Sequence, residues 1–401
     1  MLSVQELAQS PNAIASDYSH AKVAARIMLT GHVHQAIPDV AEKGYAEHWE
    51  ALNRYGEERW ELVKTKADTV RAGFASRIDC EPRNLALAAN IHELIARFIS
   101  ALPLRKKPKV VCSDGEHPML ARQLARLEEE GVEVCRVAAS PAAELVERLA
   151  AQIDSRTAAV CLSSVCYETG MQTLELDTLL PFCQKHGAEL LVDAYQSVNV
   201  LDFSILDYNL EQAFVIGGGS SYCQMGNGNA FMHVPPDRSF RPMITGPYRQ
   251  LSDGVDPARS PIPYANDASC FNGSSYDALA HFRACWVFDY FKQRELDPGF
   301  LHDINQHQLN VLARDFRAFD FDPGVIELCT DVEYLGGFIA FKAPKARQLS
   351  EMMRDRGVHT DYRNNWLRMG PAPYLCDEQL SDGVHALDES VRELQRIGDR
   401  V

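Results

Sequence analysis

Side chains able to do chemistry gather at four places in this sequence, each directly after a short apolar run. After Ala86-Leu87-Ala88 comes Ala89-Asn90-Ile91-His92, where the first backbone amides of a helix can hold a phosphate. An ordinary strand-to-helix turn would look the same. After Lys109 to Cys112 comes Ser113 to Pro118 with His117, a flat imidazole that can stack on a heteroaromatic ring or simply complete a turn. The run Leu190-Leu191-Val192 ends on Asp193-Ala194-Tyr195-Gln196-Ser197. A carboxylate there can keep a pyridine-type nitrogen protonated, so that the ring draws electrons, or it can cap a helix. The fourth place is Val215 to Asn229, with Gly217-Gly218-Gly219 followed by Ser220, Ser221 and Tyr222. This glycine-rich stretch suggests a phosphate cradle, although it has neither dinucleotide-loop spacing nor a P-loop lysine.

Such residues need elements to hold them, and the rhythm of the chain supplies these. Apolar runs at Lys109 to Cys112, Val132 to Val137, Ala158 to Leu162 and Glu189 to Val192 alternate with helical patterns that stop at Gly131 and Gly187. Alternation of this kind predicts an α/β fold with a mainly parallel sheet covered on both faces. Ligands then lie beyond the carboxyl ends of the strands, where the four clusters fall. The spacing predicts one long helix from Asp39 to about Ala72, strands at Ile326 to Cys329 and Gly337 to Phe341, a helix to Arg356 and a last helix from Asp377. Residues 1–75 read as an N-terminal segment whose long helix returns to pack with the small domain, 76–320 as a large domain and 321–401 as that smaller C-terminal α+β domain.

Bulk properties narrow the partners. The 401 residues are 46% apolar and carry a formal charge of −15, which disfavours nucleic acid or an anionic membrane and suits an amino-acid-like small molecule. No signal-like start or long apolar span is read, which predicts a cytoplasmic protein. The eleven cysteines show no CxxC spacing and read as reduced, buried small hydrophobes.

Taken in order, the segments Arg26 to Ala36, Ser163 to Gly170, Val192 to Ser197, the triple-glycine loop, Arg241 to Gly246 and Leu367 to Tyr374 resemble the kynureninase-like branch of the class-V aminotransferase group of fold-type-I pyridoxal-phosphate (PLP) enzymes. The resemblance implies the fold-type-I architecture, with a seven-stranded large domain and a dimer with its site at the subunit interface. It implies that Asp193 pairs with the cofactor's ring nitrogen, His117 stacks on the ring and Gln196 lies near the ring hydroxyl. Ala89, Asn90, Ser220 and Tyr222 would join the cofactor site, and Ser274 and Ser275 would reach the phosphate from the neighbouring subunit. Arg368 would hold a substrate carboxylate, a role that a planar guanidinium fork suits, with His32 and His34 beside the substrate.

The sequence departs from that pattern at one site. The positions where the family has a tyrosine and then the cofactor lysine read Ser220 and Ser221, and no lysine occurs between Lys185 and Lys292. Pro247 stands where a tryptophan is usual and Asn227 where an acidic residue is common. Four altered positions lining one site read as divergence rather than as a single laboratory substitution. A serine hydroxyl cannot bond the cofactor, exchange it or move the α-carbon proton near neutral pH. The expectation is therefore PLP or pyridoxamine phosphate held non-covalently, with His32, His34, His92 or His117 as replacement bases. As metal ligands His32 and His34 lack a third partner at helical spacing. An inactive ligand-binding subunit, paired with a lysine-bearing paralogue in a heterodimer, is the competing reading.

Overall fold

The computed structural model describes residues 2–54, 56–246 and 261–398. Strand β1 is Ile27–Met28, and the large sheet follows as β2 (Leu85–Ala88), β3 (Lys109–Ser113), β4 (Glu133–Val137), β5 (Thr157–Ser163), β6 (Glu189–Asp193), β7 (Phe214–Gly218) and β8 (Ala230–His233). Their order is β2-β8-β7-β6-β5-β3-β4. Only β8 runs antiparallel to its neighbours, pairing with both β2 and β7. All seven residues of β5 are buried, as expected of a parallel strand covered on both faces, and this is why the run reads as continuously apolar rather than alternating.

Helices pack on both faces of this sheet and beyond its edges. They are α1 (Val4–Ala8), α2 (Glu42–Arg54), α3 (Arg59–Ala75), α4 (Ile91–Ala101), α5 (Pro118–Glu129), α6 (Leu145–Ala150), α7 (Leu179–His186), α8 (Leu279–Gln293) and α9 (Pro298–Ala318). The chain then forms β9 (Glu327–Leu328), β10 (Ile339–Lys342), α10 (Ala346–Asp355), β11 (Val358–His359), β12 (Asp361–Arg363), β13 (Trp366–Met369) and α11 (Asp377–Gly398). Strands β12-β13-β10-β9 make a second, antiparallel sheet.

The single helix expected over 39–72 is instead two, α2 and α3. Gly56 between them has φ +49°, a left-handed backbone that glycine adopts without strain and that a continuing helix does not use. Both helices pack against α8 rather than returning to the C-terminal sheet. The part of the N-terminal segment that does reach that sheet lies earlier. β1 pairs in parallel with β11, Gly31 N donates to Gly370 O at 2.7 Å, and Gly370 N donates to Leu29 O at 2.8 Å. Residues 29–31 are thereby laid along the end of β13, with consequences for His32. None of the eleven cysteines forms a disulfide, and among the described residues no helix is long and apolar enough to cross a membrane.

Helices α2 and α8 approach so closely that a Cβ added to Gly44 would fall 2.6 Å from Arg283 Cα. A side chain there must push α8 away, so Gly44→Leu should cost about 1–3 kcal/mol as an overpacked contact, read as a lowered urea midpoint.

Candidate active site

Asp193 ends β6 in register with Ser163, the last residue of β5. Both line a cavity of about 780 Å³ at the carboxyl ends of the parallel strands, together with Ala89, Asn90, His117, Tyr167, Gln196, Ser220, Arg363 and Arg368. The four places singled out in the sequence therefore meet in one cavity, as strand ends of a parallel sheet must.

Local caps set the first two clusters. Asn90 Oδ1 accepts from Glu93 N at 3.1 Å and starts α4, while His117 Nδ1 accepts from Met119 N at 3.2 Å and starts α5 ahead of Pro118. The His117 ring meets Tyr167 edge-on, with centroids 4.6 Å apart. Burial, then the Arg363 and Arg368 charges, lower its pKa to about 4, so the ring is neutral near pH 7.

Asp193 is buried, and its Oδ1 accepts from Tyr195 N at 2.9 Å. Burial lifts its pKa to about 6 against that hydrogen bond. Beneath it lies a carboxyl that the sequence reading did not single out. Glu116 Oε1 accepts from Ser113 Oγ at 2.5 Å and Oε2 from Ser163 Oγ at 2.7 Å. Burial raises its pKa to about 7, opposed by the two hydroxyls and assisted by Asp193.

The triple glycine is explained by packing. A Cβ on Gly218 would come within 2.6 Å of Tyr195 Cε2, so glycine admits the Tyr195 ring, whose hydroxyl hydrogen-bonds Ser220 Oγ. The loop beyond is tied down by Arg283, which donates to Met225 O and Asn227 O at 2.5 Å and to Tyr45 Oη at 3.0 Å. Tyr195 and Arg283 both line the cavity, and neither has a local sequence signal beyond its proximity to a glycine-rich or apolar run.

Not every expected residue arrives. Ser221 and Tyr222 are buried behind the wall that Ser220 faces, and Ser221 Oγ and Tyr222 Oη have no hydrogen-bond partner. The loop turns there, since Gln224 N donates to Ser221 O, and one of two adjacent residues must point inward. Of the two N-terminal histidines, His32 is buried and lines the cavity, whereas His34 is exposed outside it. His92 is exposed and lies against Gln123. Ser274 and Ser275 line a neighbouring crevice with Arg97 and His281, which shares Tyr276 with the cavity, and do not themselves line the cavity. Pro247 lies outside the described residues.

The side of the cavity nearest the C-terminal sheet is built around one carboxylate. Asp361 on β12 stands directly opposite Arg368 on β13. Its Oδ2 pairs with Arg368 Nη2 and its Oδ1 with Arg363 Nη1 at 2.8 Å. Arg368 Nη1 donates to Tyr167 O, and its Nε has no partner. His32 stacks on Phe338 with centroids 4.4 Å apart, and its Nε2 lies 3.5 Å from Asp361 Oδ2, leaving both ring nitrogens without a hydrogen bond. Burial lowers the His32 pKa to about 4, against the pull of Asp361. Burial alone would raise Asp361, but His32 and Arg368 hold it well below the usual carboxylate range. The fork of Arg368, expected to be open to a substrate carboxylate, is thus engaged from within the chain.

Glu116 and Asp193 both hold their protons more tightly folded than unfolded, so ionising them costs stability. Their contribution to stability should therefore be lost as pH rises from about 4.5 to about 7, while the buried neutral His32 and His117 contribute in the opposite sense, so Glu116→Gln, which cannot ionise, should gain roughly 1–3 kcal/mol relative to the wild type across that range in urea titrations.

Residues 30–213 match the class-V aminotransferase family model, a stretch that holds His117 and Asp193 and stops short of Ser221. Among curated proteins, the chain is 21% identical over 369 residues to the uncharacterized aminotransferase YcbU of Bacillus subtilis, covering 90% of this chain and 93% of that one. It is 23% identical over 342 residues to the isopenicillin N epimerase of Streptomyces clavuligerus, covering 82% of each. Among solved structures it resembles the cystine C–S lyase C-DES in complex with cysteine persulfide, with TM-score 0.79, 15% identity and coverage of 92% and 98%. It also resembles the cysteine desulfurase of Thermococcus onnurineus NA1, with TM-score 0.77, 12% identity and coverage of 96% and 98%. Large mixed sheet, smaller C-terminal domain and these likenesses together make this the fold-type-I fold of PLP-dependent transferases, with the class-V aminotransferase match running through β2 to β6 and ending before the elements that carry Ser220, Arg363 and Arg368.

Proposed function

We propose that this chain binds a pyridoxal-phosphate-type cofactor without a covalent tie, as pyridoxamine phosphate or as an adduct with an amino acid, and acts on amino acids as a kynureninase-like relative. The observation that carries this reading is one cavity lined both by a buried carboxylate at a strand end and by a flat neutral imidazole, with no lysine among its lining residues. The eleven lysines all lie elsewhere.

The residues present fit such a group. Asp193, mostly ionised near pH 7, can hold a proton on a pyridine nitrogen. The neutral His117 ring can lie on an aromatic face, and the amides opening α4 after Asn90 can receive a phosphate. Gln196 donates its Nε2 to His32 O at 3.1 Å, leaving Oε1 without a partner and able to accept from a ring hydroxyl. When bound, the cofactor supplies an electron sink for bonds at an amino acid's α-carbon. Proton movement then falls to His32 and His117, both neutral and both lining the cavity, because the hydroxyl of Ser221 is too weak a base. His34 and His92, exposed and outside the cavity, drop out of that role.

The same missing lysine favours a second reading, a non-catalytic subunit that holds a ligand. On either reading the chain pairs with another, a second copy or a lysine-bearing relative. Ser274 and Ser275, exposed and not lining their own chain's cavity, would serve the partner's phosphate.

The wild type should take up pyridoxamine phosphate reversibly, seen by equilibrium dialysis, and borohydride should fix no PLP to any lysine. Ser220→Lys, which places an amine at the residue of this turn that lines the cavity, should give a borohydride-fixable bond and yellow absorbance, because a partly buried amine there has access to the site and a lowered pKa. If neither protein takes up PLP or pyridoxamine phosphate, the cofactor reading is wrong.

A further inference from the structure

Arg368 is almost fully buried, and two of its three nitrogens are spoken for. Nη2 pairs with Asp361 and Nη1 donates to Tyr167 O, so the only nitrogen without a partner is Nε. A guanidinium takes a carboxylate through two parallel N–H groups on one edge. Nε and Nη2 form such an edge, and its Nη2 half is already filled by Asp361. A second carboxylate there would sit against the first, and like charges that close in a buried site repel strongly.

Asp361 has somewhere else to go. Its Oδ1 is already on Arg363 Nη1 at 2.8 Å, and its Oδ2 lies 3.5 Å from His32 Nε2, which has no other partner. Arg363 also donates its Nε to Tyr167 Oη at 2.7 Å, and it lines the cavity beside Arg368. Two guanidinium groups therefore share one carboxylate, which leaves the wall with a net positive charge before any ligand enters.

We propose that Asp361 is a resident counter-ion that occupies the Arg368 fork in the free protein, and that a substrate carboxylate binds by displacing it toward Arg363 and His32. The inference rests on the reading of Arg368 as a carboxylate anchor. Asp361 then sets carboxylate affinity as a specificity-determining residue. It keeps the buried arginine neutralised between turnovers and makes every acidic ligand compete with an internal one. Ligands without a carboxylate leave the pair undisturbed.

The test compares phosphopyridoxyl-L-alanine with phosphopyridoxyl-ethylamine, which lacks only the carboxylate, by calorimetry on the wild type and on Asp361→Asn. Relief from the internal competitor should tighten the alanine adduct by on the order of tenfold in the variant and leave the ethylamine adduct unchanged. A weaker alanine adduct in the variant, or equal changes for both adducts, would mean that Asp361 only orients Arg368, and the proposal would fall. Should the asparagine protein not fold, Asp361→Ser, which keeps a hydroxyl acceptor, repeats the comparison. If neither adduct binds either protein, the cofactor reading fails, and acetate decides the remaining point. A larger acetate-dependent rise in melting temperature for the variant than for the wild type supports displacement, and an equal response overturns it.

Discussion

A parallel sheet covered by helices on both faces has almost nowhere to put a polar side chain except past the ends of its strands. The seven residues of β5 are all buried, and the first exits for polar groups are Ser113, Ser163 and Asp193, at the carboxyl ends of β3, β5 and β6. The site follows from this constraint. Asp193 and Glu116 are forced into one buried neighbourhood, where desolvation lifts both toward neutrality and hydroxyls on the adjoining strand ends satisfy Glu116.

A second junction joins parts of the chain that the sheet does not. Asp361 and Arg368 belong to the C-terminal sheet, Tyr167 to the loop after β5, and His32 to the N-terminal segment laid along β13. One carboxylate, two guanidinium groups and a carbonyl draw these three segments into a single wall. A buried ion pair of this kind adds little net stability, because desolvation offsets its attraction, yet losing one partner strands the others. Its value is positional. It fixes where positive charge faces the cavity and keeps His32 beside a carboxylate without a committed hydrogen bond.

The opposite wall has a different logic. Arg283 reaches from α8 to carbonyls of the glycine-rich loop and to Tyr45 on α2, so the close α2–α8 contact at Gly44 and the loop's shape are coupled. The glycines of β7 make room for neighbours: Gly218 admits Tyr195, whose hydroxyl then meets Ser220. A glycine run that suggests a cradle in one dimension is, in three, a surface against which aromatic and thioether side chains lie.

What the amino-acid sequence determined by itself was the alternation of strands and helices, the ends of the apolar runs at Cys112, Val192 and Ala88 with polar residues next to them, and the absence of lysine between Lys185 and Lys292. Those properties are local, and apolar runs, caps and counting read them directly. The long helix over 39–72 misled because its break depends on the backbone at Gly56, and a glycine within a periodic pattern does not by itself say whether the helix continues. Tertiary structure alone decided that Ser220 rather than Ser221 faces the cavity, that His32 enters while His34 stays outside, and that Arg368 meets Asp361. The direction of a side chain in a loop, and a contact such as Arg368 with Tyr167 across 201 positions, depend on how distant elements pack, and no periodicity in the chain encodes that.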